Sequence, residues 1–260
     1  KITDLLRGMP KPFRVRFDTA GMQNAYPTLY GIEEFGGYDA VYPKRFKAYL
    51  DDLDRTAGSR VDAMLGCGAA AFRTGAPLPP TYVPIAEGEG LTIAMNRDAL
   101  PRARLVESVV SFPSAKAMFD AMNEPDFDPR GSVYTDAAVD FSLPPPDGTP
   151  CGDATIVAFE HEHVRVRANA KKECVLVLAD GFAPGWEVTV DGLPARTFPA
   201  YYLYRGVHLA PGKHTIAFDY RPLGFRIGLI VSCLGMAVSA VVALAMLRGI
   251  GRKAECGLDG

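Results

Sequence analysis

The chain has 260 residues, 48% of them hydrophobic, and a formal net charge of −2 at pH 7. This length and apolar content suffice for one large or two small hydrophobic cores, so the composition predicts a folded protein. The sequence has no basic patch with interleaved aromatic residues, and its pI near 6.1 argues against recognition of a phosphate backbone. We therefore expect no nucleic-acid partner.

The N-terminal region starts with two different periodicities. Apolar and charged residues alternate over residues 13–17, which predicts a half-buried strand. A loop rich in Gly and aromatic residues follows. Apolar residues then recur at helical spacing over residues 43–53, which predicts a short amphipathic helix.

A hairpin and a second helix are predicted further along. Residues 82–86 and 91–95 are β-patterned and flank a segment whose two glycines supply the positive φ angles of a tight turn. One strand is predicted over residues 104–110. Ser114 predicts the N-cap of a helix that ends before Pro125. Residues 1–143 are thus expected to form a mixed α+β extracytoplasmic region.

A proline-rich segment, residues 144–150, predicts a linker, because proline stiffens the backbone and cannot donate to a sheet ladder. We place a domain boundary near Pro146. Asp191-Gly192 is a strong two-residue hairpin signal in the region that follows. Short strands at close spacing predict an antiparallel β-sandwich over residues 151–222. The strand candidates are residues 154–159, 163–168, 174–179, 186–190, 195–199, 204–209 and 214–220.

Residues 227–247 contain no charged side chain. About 20 helical residues at 1.5 Å each span about 30 Å, the thickness of the hydrocarbon core of a bilayer. We expect a transmembrane helix over residues 225–247 and a tail over residues 248–260. The predicted fold class is therefore α+β, mainly β, with a mixed N-terminal segment, a β-sandwich and one transmembrane helix. The bilayer is the first expected partner.

The orientation of this helix rests on weaker signals, because Lys and Arg residues flank it on both sides. The charge rule applies poorly to long translocated domains. We expect residues before 225 to be extracytoplasmic and the tail to be cytoplasmic, in a bacterial cell membrane. The beginning at Lys1 shows no export signal, so the chain is expected to be a fragment of a longer membrane protein or a tail-anchored protein with a cytosolic domain. Arg221, Arg226 and Arg248 are the predicted membrane-interface residues.

Two groups of residues are candidates for substrate binding. Tyr201, Tyr202 and Arg205 offer aromatic faces and a guanidinium to sugar rings, and a tyrosine belt at the lipid boundary explains the cluster equally well. Tyr38 and Asp39 lie on a glycine-rich loop that suits contact with an acceptor or a donor head group. The alternative there is a turn in which Asp39 bonds its own backbone.

Other conspicuous residues have simpler explanations. Trp186 follows a Pro-Gly turn at the start of a strand and is expected to anchor the sandwich core. His161 and His163 share one face of a strand, but a metal needs three or four converging ligands, so a solvated turn is expected. The five cysteines show no short metal-binding spacing. We expect no metal site, no cofactor and at most one disulfide.

An ordered series of short motifs resembles the C-terminal region of the YfhO family of bacterial polytopic membrane proteins. The resemblance continues upstream into the first 110 residues. The motifs are residues 176–186, 190–192, 205–207, 211–215, 220–222 and 225–229, with residues 29–32, 37–39 and 96–106 upstream.

This resemblance implies a membrane glycosyltransferase of the GT-C type, which uses a polyprenyl-phosphate-linked sugar and modifies cell-envelope polymers such as teichoic acids. In such enzymes the acidic catalytic residues lie among N-terminal transmembrane helices, which this sequence does not contain. We therefore assign no catalytic residue to this chain. Small residues at four-residue spacing in the apolar helix favour contact with other transmembrane helices of the parent protein. The alternative is a non-enzymatic, membrane-anchored module that binds a glycan or a protein.

Overall fold

The computed structural model describes residues 2–9, 14–18, 31–35 and 44–255. These residues are mainly β-sheet, with a mixed N-terminal part and one C-terminal apolar helix, which confirms the predicted fold class. The chain groups into two compact units. One comprises residues 1–183 and 187–219, and the other comprises residues 184–186 and 220–260.

The N-terminal part contains a mixed five-stranded sheet in the order β2-β1-β3-β5-β4. Its strands are β1 (Arg14–Asp18), β2 (Glu33–Phe35), β3 (Cys67–Arg73), β4 (Tyr82–Gly88) and β5 (Leu91–Asn96). β1 pairs in parallel with both β2 and β3, whereas β5 runs antiparallel to β3 and β4. The central strand β3 is rich in alanine and almost wholly buried, and the sequence patterns did not predict it.

Among its described residues, this part contains the helices α1 (Ile2–Arg7) and α2 (Lys44–Met64). The prediction of a short helix over residues 43–53 was wrong about its end. α2 continues because its later residues also contribute to a core. Val61 and Met64 are as fully buried as Tyr49 near its start, and all three belong to one hydrophobic cluster.

The predicted hairpin is confirmed by the antiparallel pairing of β4 with β5. Its turn places Glu89 at φ 55° and Gly90 at φ 77°, so one of the two positive φ angles belongs to a glutamate instead of a glycine. The single strand predicted for residues 104–110 was wrong. It is divided into β6 (Ala103–Val106) and β7 (Ser108–Ser111), which belong to different sheets.

Helix α3 (Ala115–Met122) has the predicted N-cap, since Ser114 Oγ accepts a hydrogen bond from the backbone N–H of Ala117 at 3.2 Å. Its apolar face buries Met118, Phe119 and Met122. β8 (Ser132–Thr135) pairs in parallel with β7 beside this helix.

Two further sheets follow, of five and four strands in the described part of the chain. The five-stranded sheet has the order β13-β12-β16-β10-β9, and the four-stranded sheet has the order β14-β15-β11-β6. Alternate residues of β10 and β16, such as Val166 and Phe218, are buried, whereas every residue of β11 is buried. The new strands are β9 (Gly152–Phe159), β10 (His163–Ala170), β11 (Cys174–Leu178), β12 (Trp186–Val190), β13 (Leu193–Ala195), β14 (Thr197–Ala200), β15 (Tyr204–Leu209) and β16 (Gly212–Tyr220).

The sheets also connect residues on both sides of the proline-rich segment. β6 pairs antiparallel with β11, with Arg104 opposite Val177. Lys172 Nζ donates to Glu107 Oε2 at 2.5 Å and also to Asp147. The four-stranded sheet therefore contains residues from both predicted regions, and the domain boundary near Pro146 stays a prediction.

The second unit contains helix α4 (Leu223–Glu255). Residues Leu223–Ala243 have a mean hydropathy of 2.1 and are long and apolar enough to cross a membrane. The backbone N–H of Arg221 donates to the carbonyl of Gly185 at 2.6 Å within the same unit. The Trp186 and Tyr220 rings pack there with centroids 5.1 Å apart.

Candidate functional site

A buried charged cluster lies where β1, β6 and β11 begin or end; we call it the Asp180 cluster and define it as Asp180, Arg14, Arg102 and Glu33. Asp180 Oδ1 accepts from Arg14 Nη2 at 2.6 Å, from Arg102 Nη2 at 2.5 Å and from Arg102 Nε at 3.0 Å. Glu33 bridges the same two arginines, at 2.6 Å from Arg102 Nη1 and 3.3 Å from Arg14 Nε.

Strand geometry explains why these residues meet. Asp180 follows the end of β11, and the backbone N–H of Ala179 donates to the carbonyl of Arg102 at 2.7 Å, which continues the ladder between β11 and β6. Arg14 begins β1 and also donates from Nη1 to the carbonyls of Leu65 and Ala179. The cluster therefore fixes the start of the loop after β11.

Electrostatics keep the cluster charged. Burial by itself raises the pKa of Asp180, but Arg102 and Arg14 together hold it below its ordinary value. Burial lowers the pKa of Arg14, yet Asp180 and Glu33 raise it overall. Neither Asp180 nor Arg14 is thus prepared to exchange a proton near neutral pH, so the arrangement suits positioning and charge recognition better than acid–base catalysis.

Arg205, one of the predicted substrate contacts, lies beside this cluster and is buried. Its Nε donates to the carbonyl of Gly181 at 3.0 Å, and its guanidinium lies 5.7 Å from the centre of the Phe218 ring. Burial lowers the pKa of Arg205 to about 10. This burial does not support a direct contact between Arg205 and a bound sugar.

Tyr201 and Tyr202 form the turn between β14 and β15, and both have positive φ angles, 47° and 66°. Positive φ is costly for a bulky non-glycine residue, so this turn is strained. Tyr201 is fully buried, and its hydroxyl donates towards the carbonyls of Ser132 and Pro129 at 2.5 and 2.9 Å. Its ring is consequently a core group and not an exposed platform.

Tyr202 is the member of the predicted group that reaches the surface. Arg45 Nη1 donates to its carbonyl at 2.9 Å, and the Arg45 guanidinium lies 4.4 Å from its ring centre and 5.6 Å from that of Phe182. Asp136 Oδ1 lies 3.6 Å from Arg45 Nη1, and Phe119 packs edge-on against Tyr202 at 5.1 Å. We call Arg45, Tyr202, Phe182 and Asp136 the Tyr202 surface. It combines two aromatic rings with a guanidinium and a carboxylate.

The other predicted site residues are distributed differently. Tyr38 and Asp39 lie outside the described residues, as do the side chains of Arg226 and Arg248. Arg221 is exposed. The structure therefore brings Tyr201, Tyr202 and Arg205 into neighbouring positions, with Tyr202 half-buried and the other two buried.

Two smaller predictions also have outcomes. The backbone groups of Glu160 and His163 bond each other across a turn, as was predicted for this segment. His163 Nδ1 lies 2.7 Å from Asp219 Oδ1. Trp186 was expected to anchor the sandwich core. Its side chain is only half-buried, so it is less buried than that prediction required.

A separate open cleft of about 490 Å³ lies between the segment before the proline-rich region and β14. The His208 ring forms part of its lining, stacks on Phe141 with centroids 4.4 Å apart and lies 2.9 Å from Glu173 Oε1. No predicted site residue in the described ranges lines this cleft.

Sequence reasoning missed Arg14, Arg102, Asp180 and Arg45. Arg14 was seen only as the polar residue of an alternating strand, and Asp180 only as part of a family motif. Arg102 and Asp180 are 78 positions apart, and pattern matching within one sequence does not pair such distant residues. An acidic residue directly after a wholly apolar strand was the one signal that pointed to Asp180.

The fold and the apolar helix define a membrane protein with a β-rich domain and one candidate membrane-spanning helix in the described part of the chain. Residues 152–232 match the family model for the bacterial membrane protein YfhO, which confirms the family resemblance over these residues. The match covers β9 to β16 and the first residues of α4. No curated protein and no solved structure matches the chain.

Proposed function

We propose that this chain is the extracytoplasmic C-terminal domain and last transmembrane helix of a longer bacterial membrane protein. The longer protein transfers sugars from a polyprenyl-phosphate donor to polymers of the cell envelope. One observation carries the proposal. The family match starts at the first strand after the proline-rich segment and continues without a break into the apolar helix. The β-rich domain and the helix are thus one matched unit.

The exposure of α4 supports a membrane location. Its large apolar side chains from Leu223 to Val242 are 46–70% exposed. Such a surface is unfavourable in water at about 25 cal/mol per Å² of apolar area, so lipid or other helices cover it. A Cβ at Gly228 or Gly235 would meet no atom within 4 Å, which leaves room for the neighbouring helices of a polytopic protein.

The topology in this proposal places residues before 225 outside the cytoplasm and residues 248–260 inside. The tail carries Arg248, Arg252 and Lys253 directly after the apolar stretch. Cytoplasmic positive charge next to a span is the usual arrangement in membrane proteins. Arg221 and Arg226 then lie at the outer interface, where they suit contact with lipid phosphates.

Within the β-rich domain, the Tyr202 surface is the proposed sugar contact. Sugar rings stack on aromatic faces, and their hydroxyls bond to paired cationic and acidic groups such as Arg45 and Asp136. Tyr38 and Asp39, which lie outside the described residues, stay proposed substrate-binding residues. Tyr201 and Arg205 are buried, so their proposed role is to position Tyr202 and not to touch the sugar. Catalytic residues are assigned to the helices of the longer protein.

The test replaces the full-length protein in its bacterial host with variants and measures the sugar content of purified envelope polymers by mass spectrometry. Deletion of the protein should abolish one sugar modification, and Tyr202→Ala should lower it several-fold at unchanged membrane abundance. Arg196→Gln alters an exposed ion pair with Asp140 and serves as the matched control with no expected effect. Unchanged polymer glycosylation after deletion would overturn the proposal and leave the non-enzymatic binding module as the explanation.

A further inference from the structure

Arg104 is a buried cation without an ion-pair partner in the described part of the chain. The residue is 8% exposed, and Nε, Nη1 and Nη2 all lack solvent contact and a hydrogen bond of ordinary geometry. The neighbouring Tyr201 hydroxyl is its nearest polar contact. The Arg104 guanidinium lies 5.5 Å from the centre of the Tyr201 ring. A cation–π contact of this kind offsets only part of the cost of removing a guanidinium from water.

The surroundings of Arg104 add donors and positive charge but no acceptor of opposite charge. Two residues before Arg104, Arg102 belongs to the Asp180 cluster, where the guanidinium groups of Arg14, Arg102 and the neighbouring Arg205 face only two carboxylates, Asp180 and Glu33. With Arg104 added, the positive charges among these described groups exceed the negative ones by two.

The phenols beside Arg104 supply one further donor. The hydroxyls of Tyr49 and Tyr204 lie 2.9 Å apart, and this bond uses only one of their two hydrogens. Arg104 is near enough to both phenols to lower their pKa values against burial, which has the larger effect and raises them. The group around Arg104 therefore presents N–H and O–H donors, and an oxygen-rich anion is the ligand that satisfies them all.

The strained turn lies directly against this group. Tyr201, whose ring contacts the Arg104 guanidinium, is the first of the two consecutive residues with positive φ. The Arg104 charge, which has no counter-charge, and the strained Tyr201–Tyr202 backbone thus lie next to each other. Movement of the turn relieves the strain and opens the guanidinium to a ligand at the same time.

We propose that Arg104 and the Tyr49–Tyr204 hydroxyl pair form a binding site for an oxyanion of the phosphate class, and that the Tyr201–Tyr202 turn moves to admit it. The site orients the anion through a planar guanidinium fork, and the phenol donor fixes a third oxygen. The inference does not depend on the proposed sugar transfer, since it follows from charge and donor balance alone.

The experiment measures the melting temperature of the purified full chain in detergent, in buffers of equal ionic strength with sodium phosphate or sodium chloride. Phosphate at about ten times its dissociation constant should raise the melting temperature of the wild type by roughly 3–6 °C. Arg104→Met should remove this shift. Its melting temperature without phosphate should equal or exceed that of the wild type, because the variant buries no unpaired charge. Arg167→Met, at an exposed arginine of β10, is the control that should keep the shift.

A second arm distinguishes the source of the anion. Binding of the wild type and of Arg104→Met is measured on vesicles of phosphatidylglycerol and on vesicles of phosphatidylcholine. If the ligand is a lipid headgroup, the wild type should bind phosphatidylglycerol vesicles much more strongly than phosphatidylcholine vesicles. Arg104→Met should then bind the two kinds of vesicle about equally. Equal phosphate shifts in wild type and Arg104→Met would overturn the inference. If the Met variant does not fold, the wild type still decides, because absence of any phosphate shift relative to chloride refutes the site.

Discussion

Arg14 and Asp180 lie 166 positions apart in the sequence and form an ion pair of 2.6 Å between Nη2 and Oδ1. Arg102 donates to the same carboxylate oxygen from a third segment. Ion pairs with Asp180, which follows β11, therefore hold the start of β1 and the start of β6 beside the end of β11. We expect the stability of the β-rich part to depend on the charge of Asp180.

Asp180→Asn should lower the free energy of unfolding by about 3–5 kcal/mol, because it leaves two buried guanidinium groups facing a neutral amide. The measurement is urea unfolding of the detergent-solubilised chain followed by tryptophan fluorescence. Asp140→Asn is the matched control, since its partner Arg196 is exposed, and an exposed pair contributes about 0–1 kcal/mol. Equal losses of unfolding free energy in the two variants would show that the Asp180 cluster stabilises the fold no more than an exposed ion pair does.

The same carboxylate predicts a pH dependence. The pKa of Asp180 is below its ordinary value because Arg102 and Arg14 outweigh the effect of burial. A group whose folded pKa is depressed stabilises fully above its unfolded pKa, near 3.9, and loses this contribution as the pH falls through the folded pKa. The stability difference between wild type and Asp180→Asn should be constant from about pH 5 to 8 and should shrink below about pH 4. A difference that grows on acidification would contradict this assignment.

A truncation tests the pairing across the proline-rich segment. Removal of residues 1–143 takes away β6, which pairs with β11, and uncovers Val175 and Val177 of the buried cluster that also contains Tyr204. We expect the remaining fragment to lose cooperative unfolding, which differential scanning calorimetry would report. A sharp transition with native-like enthalpy per residue would show instead that the domain after the boundary folds alone.

Gly152 tests the geometry at the start of β9. Its φ is +123°, and a Cβ there would lie 1.9 Å from the carbonyl oxygen of Asn169. Gly152→Ala should therefore destabilise strongly or prevent folding, as judged by thermal melting. Gly75→Ala has a φ of +82° but meets nothing within 4 Å, so it should cost only about 1–2 kcal/mol. Similar losses for both variants would mean that the close approach of Asn169 is absent.

Local chemistry predicted the parts of this fold that depend on neighbours in sequence. The Ser114 cap, the hairpin around Gly90 and the Asp191-Gly192 turn each follow from residues a few positions apart, and each is present. The strand β3 was missed because its alanines and glycine have weak β propensity, and tertiary burial decides its conformation. The Asp180 cluster and the burial of Tyr201 depend on long-range pairing, which periodicity does not encode.

The central claim, that the β-rich domain is outside the membrane crossed by α4, is tested most directly by cysteine labelling in intact cells. Cys67, Cys151 and Cys174 are buried thiols, so Cys233→Ser leaves Cys256 in the tail as the inner reporter. Leu193→Cys adds an outer reporter at a side chain of a residue that is 71% exposed. A membrane-impermeant maleimide should label position 193 in intact cells and Cys256 only after permeabilisation. Labelling of Cys256 in intact cells, with position 193 protected until the membrane is opened, would contradict the account.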